Sequence, residues 1–433
     1  MRYFSYLWLL ISTISFGSSL EETIALSEQN PSIQAAMQQA KVYEQLHDTA
    51  KSGNYPSLDL SYGATYLNED PVVYLQGSFP GLPPGTAMQV QARNLYSGAL
   101  KLTYPLFTGF AITARIDEAK LRMHRASLEA DDAKRNLYMG IVRAYAAAVT
   151  MKHLMASQEE ALKATQKSYD KAKGFFELGM CSASELYRIE ASLHAIKSEQ
   201  IKTENRHKIA LSQLSLMTRS TIKDVEPLPQ IQELSLEQLT QKAMQNRPDL
   251  QAMRLMVKEQ QSKVDLAKSS YYPTVGLFAQ AARVGDGPEL DGDGYTNKDR
   301  SAAGFQVNYN LFSGFQSQSQ LEAAREGKLS AELMLQFYID KVTTEVHESF
   351  LTYRSLLSER EAARAQLKAQ ESYEKLLEGQ FDNQLADADQ LSRAISSLAM
   401  ARAALIAVEA RLYTAYSKAL LQVDNETFLS TLK

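Results

Sequence analysis

Hydrophobic and polar residues alternate along several short segments of the chain. In the first of these, Leu58, Leu60 and Tyr62 are separated by Asp59 and Ser61. Strict alternation is typical of a β-strand with one apolar and one polar face. The sequence predicts four such strands, the third the weakest, at about residues 57–67, 96–107, 274–283 and 302–312.

The segments before and after the strands have helical periodicity. Apolar residues recur at helical spacing over residues 22–52, and the long stretches 110–176 and 315–381 contain no proline. At 1.5 Å per residue, each long helix would extend about 100 Å. A helix of this length needs partners along its length, because propensity alone does not stabilise it. Each is followed by a short break and a predicted return helix, at residues 183–217 and 387–422.

The chain is also internally duplicated. Residues 31–56 and 248–273 share ten identities at a constant offset of 217, and Tyr104–Phe110 matches Tyr309–Phe315 at an offset of 205. The difference of 12 places a longer loop at residues 67–97. Self-similarity at this period predicts a duplicated unit of about 200 residues.

These patterns divide the chain into five segments. They are a signal peptide at 1–19, a first repeat at 20–217, a linker at 218–236, a second repeat at 237–422 and a C-terminal tail at 423–433.

The first segment has the features of a secretory signal peptide. Arg2 precedes the apolar run Tyr3–Ile14, and small residues follow, with Gly17 and Ser19 placed for cleavage after Ser19. No cysteine follows the run, so no lipid attachment is expected there. No other run of about 18 apolar residues is present, and therefore no transmembrane helix is expected.

The predicted strands have the length and alternation of tilted transmembrane barrel strands. The alternative is a soluble hairpin packed on the helices. Four strands cannot close a barrel, and an open sheet edge is not viable in lipid. If the strands lie in a membrane, several chains must share one barrel.

The order of these elements resembles the TolC family of outer membrane efflux proteins over about residues 22–422. The resemblance is carried by Asn30-Pro31, Tyr55-Pro56, Tyr104–Phe110, the turn Leu178–Leu186 and their repeats. It implies a mainly α fold with a small β part, built from a duplicated strand pair and long coiled-coil helices. It further implies a homotrimer, in which a twelve-stranded outer membrane β-barrel continues as a periplasmic α-helical barrel.

The resemblance also implies a function and partners. Members conduct cargo passively from a periplasmic adaptor (membrane fusion) protein and an inner-membrane transporter of the RND, ABC or MFS type. The leading expectation is therefore a small-molecule or drug exit duct in the outer membrane of a Gram-negative bacterium. Two alternatives remain at this point. One is the same duct in type I protein secretion, and the other is a periplasmic coiled coil without a pore.

Composition and motifs favour no other class of function. The balance of 46 basic and 50 acidic residues argues against binding nucleic acid through a basic surface. The single cysteine, Cys181, excludes an intramolecular disulfide framework. The six histidines are scattered, and the acidic stretch 286–294 lacks the downstream Glu of an EF-hand. We expect no enzymatic activity, no cofactor and no metal.

The resemblance assigns the periplasmic tip, with the aperture and the adaptor contacts, to the two helix-to-helix turns. The corresponding residues are Leu178, Gly179, Ser182, Ser184 and Glu185, and Asn383, Gln384, Asp387 and Asp389. Threefold symmetry would turn each acid into a ring that favours cations. The acids could equally be solvated turn residues. Gln384 replaces the usual family glycine, and Gln390 and Arg393 stand where related proteins often have acids.

Overall fold

The computed structural model describes residues 17–77, 80–180, 182–295, 298–383 and 385–432. Most of the expected signal peptide, residues 1–16, lies outside the described residues. The elements of the first repeat are α1 (Leu20–Ser27), α2 (Pro31–Ser52), β1 (Ser57–Tyr66), β2 (Val72–Tyr74), β3 (Ala87–Gln89), β4 (Asn94–Phe107), α3 (Ala111–Glu177) and α4 (Ala183–Thr218). The second repeat contains α5 (Leu236–Asn246), α6 (Pro248–Lys268), β5 (Thr274–Gly285), β6 (Asp299–Asn308), α7 (Gln316–Asp382) and α8 (Ala388–Leu421), followed by α9 (Asn425–Leu429). The fold is mainly α with a small, duplicated β part.

The chain forms two compact units. Of the described residues, the first unit comprises those within 17–40, 126–253 and 335–432, and the second comprises those within 41–125 and 254–334. The core of the first unit contains fully buried aromatic and aliphatic side chains, including Tyr145, Leu214, Val346, Tyr416 and Phe428. These side chains come from α3, α4, α7, α8 and α9, and their burial is the main contribution to the stability of this unit.

The second unit contains a four-stranded antiparallel sheet in the order β1-β4-β5-β6. Tyr104 lies opposite Leu277, which in turn lies opposite Phe305. The face that these residues share also carries Leu58, Leu60, Tyr62, Leu100, Leu102, Ala279 and Val307. The opposite face carries Ser57, Asp59, Ser61, Lys101, Thr103, Gln280, Gln306 and Asn308. Phe278 also lies on this second face, and Arg283 pairs with Asp299 at one end of the first. The sheet therefore has one mainly apolar and one mainly polar face, and β1 and β6 form its edges.

A repeated backbone turn joins a strand to a long helix in each repeat. Gly109 and Phe110 have φ values of 62° and 69°, and Gly314 and Phe315 have 64° and 66°. At Gly109 a β-carbon would lie 2.6 Å from the carbonyl oxygen of Ser269, so only glycine fits. The two turns are 205 residues apart, which is the offset of the sequence repeat.

Several elements differ from the pattern-based expectation. The expected continuous helix over residues 22–52 is divided, because the side chain of Asn30 donates to the Met217 carbonyl oxygen at 2.8 Å and Pro31 has no N–H. The expected loop 67–97 contains the hairpin β2–β3. Strand β6 ends at Asn308 instead of extending to residue 312.

Helix α8 is the most apolar of the long helices. Over Asp389–Leu421 it is long and apolar enough to cross a membrane by length and composition alone. Its buried residues Leu412, Tyr413, Tyr416 and Leu420 belong to the core of the first unit. The helix is therefore a core element of that unit.

Candidate functional site

The two helix-to-helix turns have the same hydrogen-bonding pattern. At the end of α3 the N–H of Met180 donates to the Phe175 carbonyl oxygen at 2.8 Å. At the end of α7 the N–H of Leu385 donates to the Gln380 carbonyl oxygen, also at 2.8 Å. Both bonds are of the six-to-one type that closes a helix C-terminus. Gly179 supplies the left-handed residue of the first turn, with φ 72°. Its counterpart Gln384 lies outside the described residues.

The return helices begin with matching capping boxes. Ser182 Oγ accepts from the N–H of Glu185 at 3.3 Å, and the Glu185 carboxylate accepts from the N–H of Ser182 at 3.1 Å. Asp387 and Gln390 make the same reciprocal pair at α8, at 2.7 and 3.2 Å. The sequence placed Ser182, Glu185 and Asp387 at the tip, and in this chain they also fix where α4 and α8 begin.

Asp389 lies between two arginines. Its carboxylate is 3.0 Å from the guanidinium of Arg188 on α4 and also contacts Arg393 one turn along α8. The side chain of Asp389 is only 15% exposed. In the first turn the corresponding residue is Ser184, whose hydroxyl is 2.9 Å from that of Ser182. Asp389, one of the acids expected to form a negative ring, is thus paired with positive charge inside its own chain.

A small hydrophobic cluster lies next to the turns. It contains Ala172, Ile189, Phe381, Leu391 and Ile395, contributed by α3, α4, α7 and α8. The rings of Phe175 and Phe381 meet edge to face with centroids 6.1 Å apart. This packing holds the ends of the four helices in a fixed arrangement.

Two ion pairs between α3 and α7 were missed by the sequence analysis. Lys167 lies 2.8 Å from Glu378, and Lys171 contacts Asp382. The hydrogen bond from Lys171 lowers the pKa of Asp382, whereas burial, followed by the charge of Glu378, raises the pKa of Glu374. Both pairs span 211 residues, which is close to the repeat offset. The equal separation of the two lysine–acid pairs was the only feature of the sequence that could have indicated these contacts.

The turns also expose large apolar side chains. Leu178 is 73% exposed and Leu385 is 79% exposed, and Met180 is exposed as well. Asn383, the counterpart of Leu178, uses its side-chain amide to donate to the Gly379 carbonyl oxygen at 2.8 Å. Clustered exposed apolar side chains are typical of surfaces that contact another macromolecule.

The described part of the chain contains no group of three or more His, Cys, Asp or Glu residues arranged to hold a metal ion. The features of the turns are therefore helix caps, ion pairs and apolar contacts. Such an arrangement can hold helix ends together or bind a partner.

A family model describing outer membrane efflux proteins matches residues 25–218 and 239–423. The chain belongs to the outer membrane efflux protein family. The two matched segments coincide with the two structural repeats. Membership places the protein in the outer membrane of a Gram-negative bacterium, with a periplasmic extension, as an exit duct and not as an enzyme.

Solved structures of an outer membrane protein and of outer membrane channels share the fold. The outer membrane protein VceC of Vibrio cholerae is 17% identical, with a TM-score of 0.76 over 94% of this chain and 96% of that chain. The CmeC outer membrane channel of Campylobacter jejuni is 14% identical, with a TM-score of 0.76 over 95% and 85%. The open state of the MtrE outer membrane channel of Neisseria gonorrhoeae is 16% identical, with a TM-score of 0.75 over 96% and 89%. No curated protein sequence matches the chain.

Proposed function

We propose that three copies of this chain assemble into one passive exit duct of a tripartite efflux pump. The observation that carries the proposal is the sheet with two free edge strands, β1 and β6. Within the sheet each strand runs antiparallel to its neighbours, so β1 and β6 of one chain run in opposite directions. Pairing β6 with β1 of the next copy therefore continues the antiparallel order, and three copies give a closed barrel of twelve strands.

The two faces of the sheet fit this barrel. The apolar face, with Leu60, Leu102 and Phe305, would contact lipid, and the polar face, with Asp59, Lys101 and Gln306, would line the water-filled interior. Outer membrane barrels alternate residues in this way. Closure also removes the unpaired backbone groups of β1 and β6, which would otherwise be costly in lipid.

The helix-to-helix turns are the proposed periplasmic aperture and adaptor contact. The residues concerned are Leu178, Gly179, Ser182, Ser184, Glu185, Asn383, Gln384, Asp387 and Asp389. A periplasmic adaptor would cover the exposed side chains of Leu178, Met180 and Leu385. An inner-membrane transporter of the RND, ABC or MFS type would then supply the energy, because a duct of this kind only conducts.

The cargo we propose is small molecules, in line with the efflux family to which the chain belongs. Type I protein secretion would use the same architecture. The test is the accumulation of a fluorescent efflux dye in cells that lack the protein, compared with cells complemented by the intact gene. Raised accumulation that complementation reverses supports small-molecule efflux. Unchanged accumulation together with the loss of a secreted protein would replace it with protein secretion.

A further inference from the structure

The backbone around Ser18 is built into the first unit. Ser18 forms a parallel bridge with Val225 in the linker between the repeats. Its N–H donates to the Asp224 carbonyl oxygen at 3.0 Å, and its carbonyl oxygen accepts from the N–H of Glu226 at 3.2 Å. Because Val225 is fully buried, this bridge lies at the edge of the hydrophobic core.

Tyr145 reinforces the same contact from α3. Its ring is fully buried, and its hydroxyl lies 2.9 Å from the carbonyl oxygen of Ser18 and 3.0 Å from that of Glu226. A buried tyrosine hydroxyl needs a hydrogen-bond partner, and Ser18 provides one of the two available acceptors.

Ser19 is the N-cap of α1. Its hydroxyl accepts from the N–H of Glu22 at 3.1 Å, and the Glu22 carboxylate accepts from the N–H of Ser19 at 3.3 Å. Leu20 and Ile24, which follow, are buried in the core. The residues from Ser18 onward thus belong to the folded protein.

Signal peptides are removed at a bond preceded by small residues at −3 and −1, the third and the last residue before the cut. Three bonds in this region meet the rule: those after Ser15, after Gly17 and after Ser19. Cleavage after Ser19 would remove the bridge to Val225, one of the two acceptors for Tyr145 and the helix cap together. Cleavage after Ser15 would fall one residue beyond the apolar run that ends at Ile14.

The geometry points to cleavage between Gly17 and Ser18, two residues before the position that the sequence pattern alone favours. Hydrolysis adds water across this peptide bond and leaves a carboxylate on Gly17 and an amino group on Ser18. The mature chain would then begin with the α-ammonium of Ser18 facing the Asp224 carbonyl oxygen. A charged donor strengthens the hydrogen bond that the amide makes in the uncleaved chain.

The test is intact-mass measurement and N-terminal sequencing of the protein purified from outer membranes. A first residue of Ser18 is the expected result, and a first residue of Phe16 or Leu20 would overturn the proposal. Two matched variants check the choice of bond. Ser15→Phe places a large residue at −3 of the proposed site and should abolish the product that begins with Ser18, whereas Ser19→Phe should still be processed to Ser18.

The reverse pattern, in which the parent chain and Ser15→Phe both begin with Leu20 and Ser19→Phe is not processed, would assign the cleavage to the bond after Ser19 instead. Both variants are scored by the mass of the chain in the membrane fraction. Signal removal accompanies export and precedes folding, so the readout holds even if a variant folds poorly.

Discussion

Arg188 on α4 and Asp389 on α8 form an ion pair at 3.0 Å that joins the two return helices beside their turns. Arg393 contacts the same carboxylate from within α8. One carboxylate therefore pairs with two arginines at the proposed aperture. The pair links residues from the two repeats, and it gives the tip a contact that can be broken by a single substitution.

Asp389→Asn should open the tip. The substitution keeps the shape of the side chain but removes the charge that holds Arg188 and Arg393, so the ends of α4 and α8 should separate. We expect a severalfold increase in the single-channel conductance of the purified protein in planar lipid bilayers. The matched control is Glu359→Gln, which breaks the exposed pair with Arg411. Equal conductance of the two variants would show that Asp389 does not restrict the aperture.

Arg247→Met should strongly destabilise the first unit. Arg247 is 3% exposed and binds Asp249 and Glu345, and it donates to Gln422 Oε1 at 2.7 Å. Without Arg247, the partly buried carboxylates of Asp249 and Glu345 lose a positive partner. The free energy of unfolding should fall by about 3–5 kcal/mol.

This change is measured as the free energy of unfolding in detergent, with the loss of the helical circular dichroism signal used to monitor unfolding. Arg411→Met, which removes an arginine that is 61% exposed, is the control and should cost at most about 1 kcal/mol. A similar small loss in Arg247→Met would mean that the buried network contributes little.

The same network predicts a loss of stability in acid. Burial alone would raise the pKa of Asp249, but the hydrogen bond from Arg247 and the charges of Arg135 and Arg247 hold it below the ordinary value of 3.8. The unfolded chain therefore takes up this proton first as the pH falls. The contribution of Asp249 is fully present above 3.8 and is lost as the pH drops through the lowered pKa.

Thermal unfolding of the protein at about pH 7 and about pH 3 tests this prediction. The drop in melting temperature should be smaller in Asp249→Asn than in the parent chain. Asp340→Asn makes the same chemical change at an exposed position of α7 and should behave like the parent chain. If the melting temperature of Asp249→Asn drops as much in acid as that of the parent chain, other carboxyl groups cause the loss of stability.

Tyr145→Phe tests the contact with Ser18 through stability. The variant removes the hydroxyl shared by the carbonyl oxygens of Ser18 and Glu226 and should cost about 1 kcal/mol. Tyr187→Phe, at a residue that is 67% exposed, is the control and should have almost no effect on the free energy of unfolding. An unchanged stability of Tyr145→Phe would count against a structural role for the Ser18 contact.

The parts of the fold that follow a repeat or a local period could be predicted from the sequence. The offset of 205 relates Ser182 to Asp387, and the structure gives both residues the same capping role. Alternation along residues 57–66 predicted the strand β1 and its two faces. These features depend on residues that are close in sequence or related by duplication.

The remaining features depend on contacts between distant residues. The break between α1 and α2 is stabilised by Asn30 bonding to Met217, which is 187 residues away. The pairing of Asp389 with Arg188 likewise depends on how α4 packs beside α8. Periodicity describes one face of an element and contains no information about which distant side chain meets it.

Disulfide cross-linking of the sheet edges tests whether three sheets close into one barrel. In a Cys181→Ser background, cysteines replace Ser61 on β1 and Ala302 on β6. Ala302 lies opposite Gln280, which lies opposite Lys101, so within one chain it is three strands from β1, about 14 Å away and too far to form a disulfide.

Shifting the β6 cysteine to residue 304 or 306 tests two further registers on the same face of the strand. Cysteines at Ser61 and Gln280 are the control, because Gln280 is not on an edge strand. After oxidation in intact outer membranes, we expect a ladder on non-reducing gels that ends at three chains for at least one edge pair. The control pair should give single chains only. Single chains alone from every edge pair, or a ladder that ends at two or continues beyond three, would contradict a barrel shared by three copies.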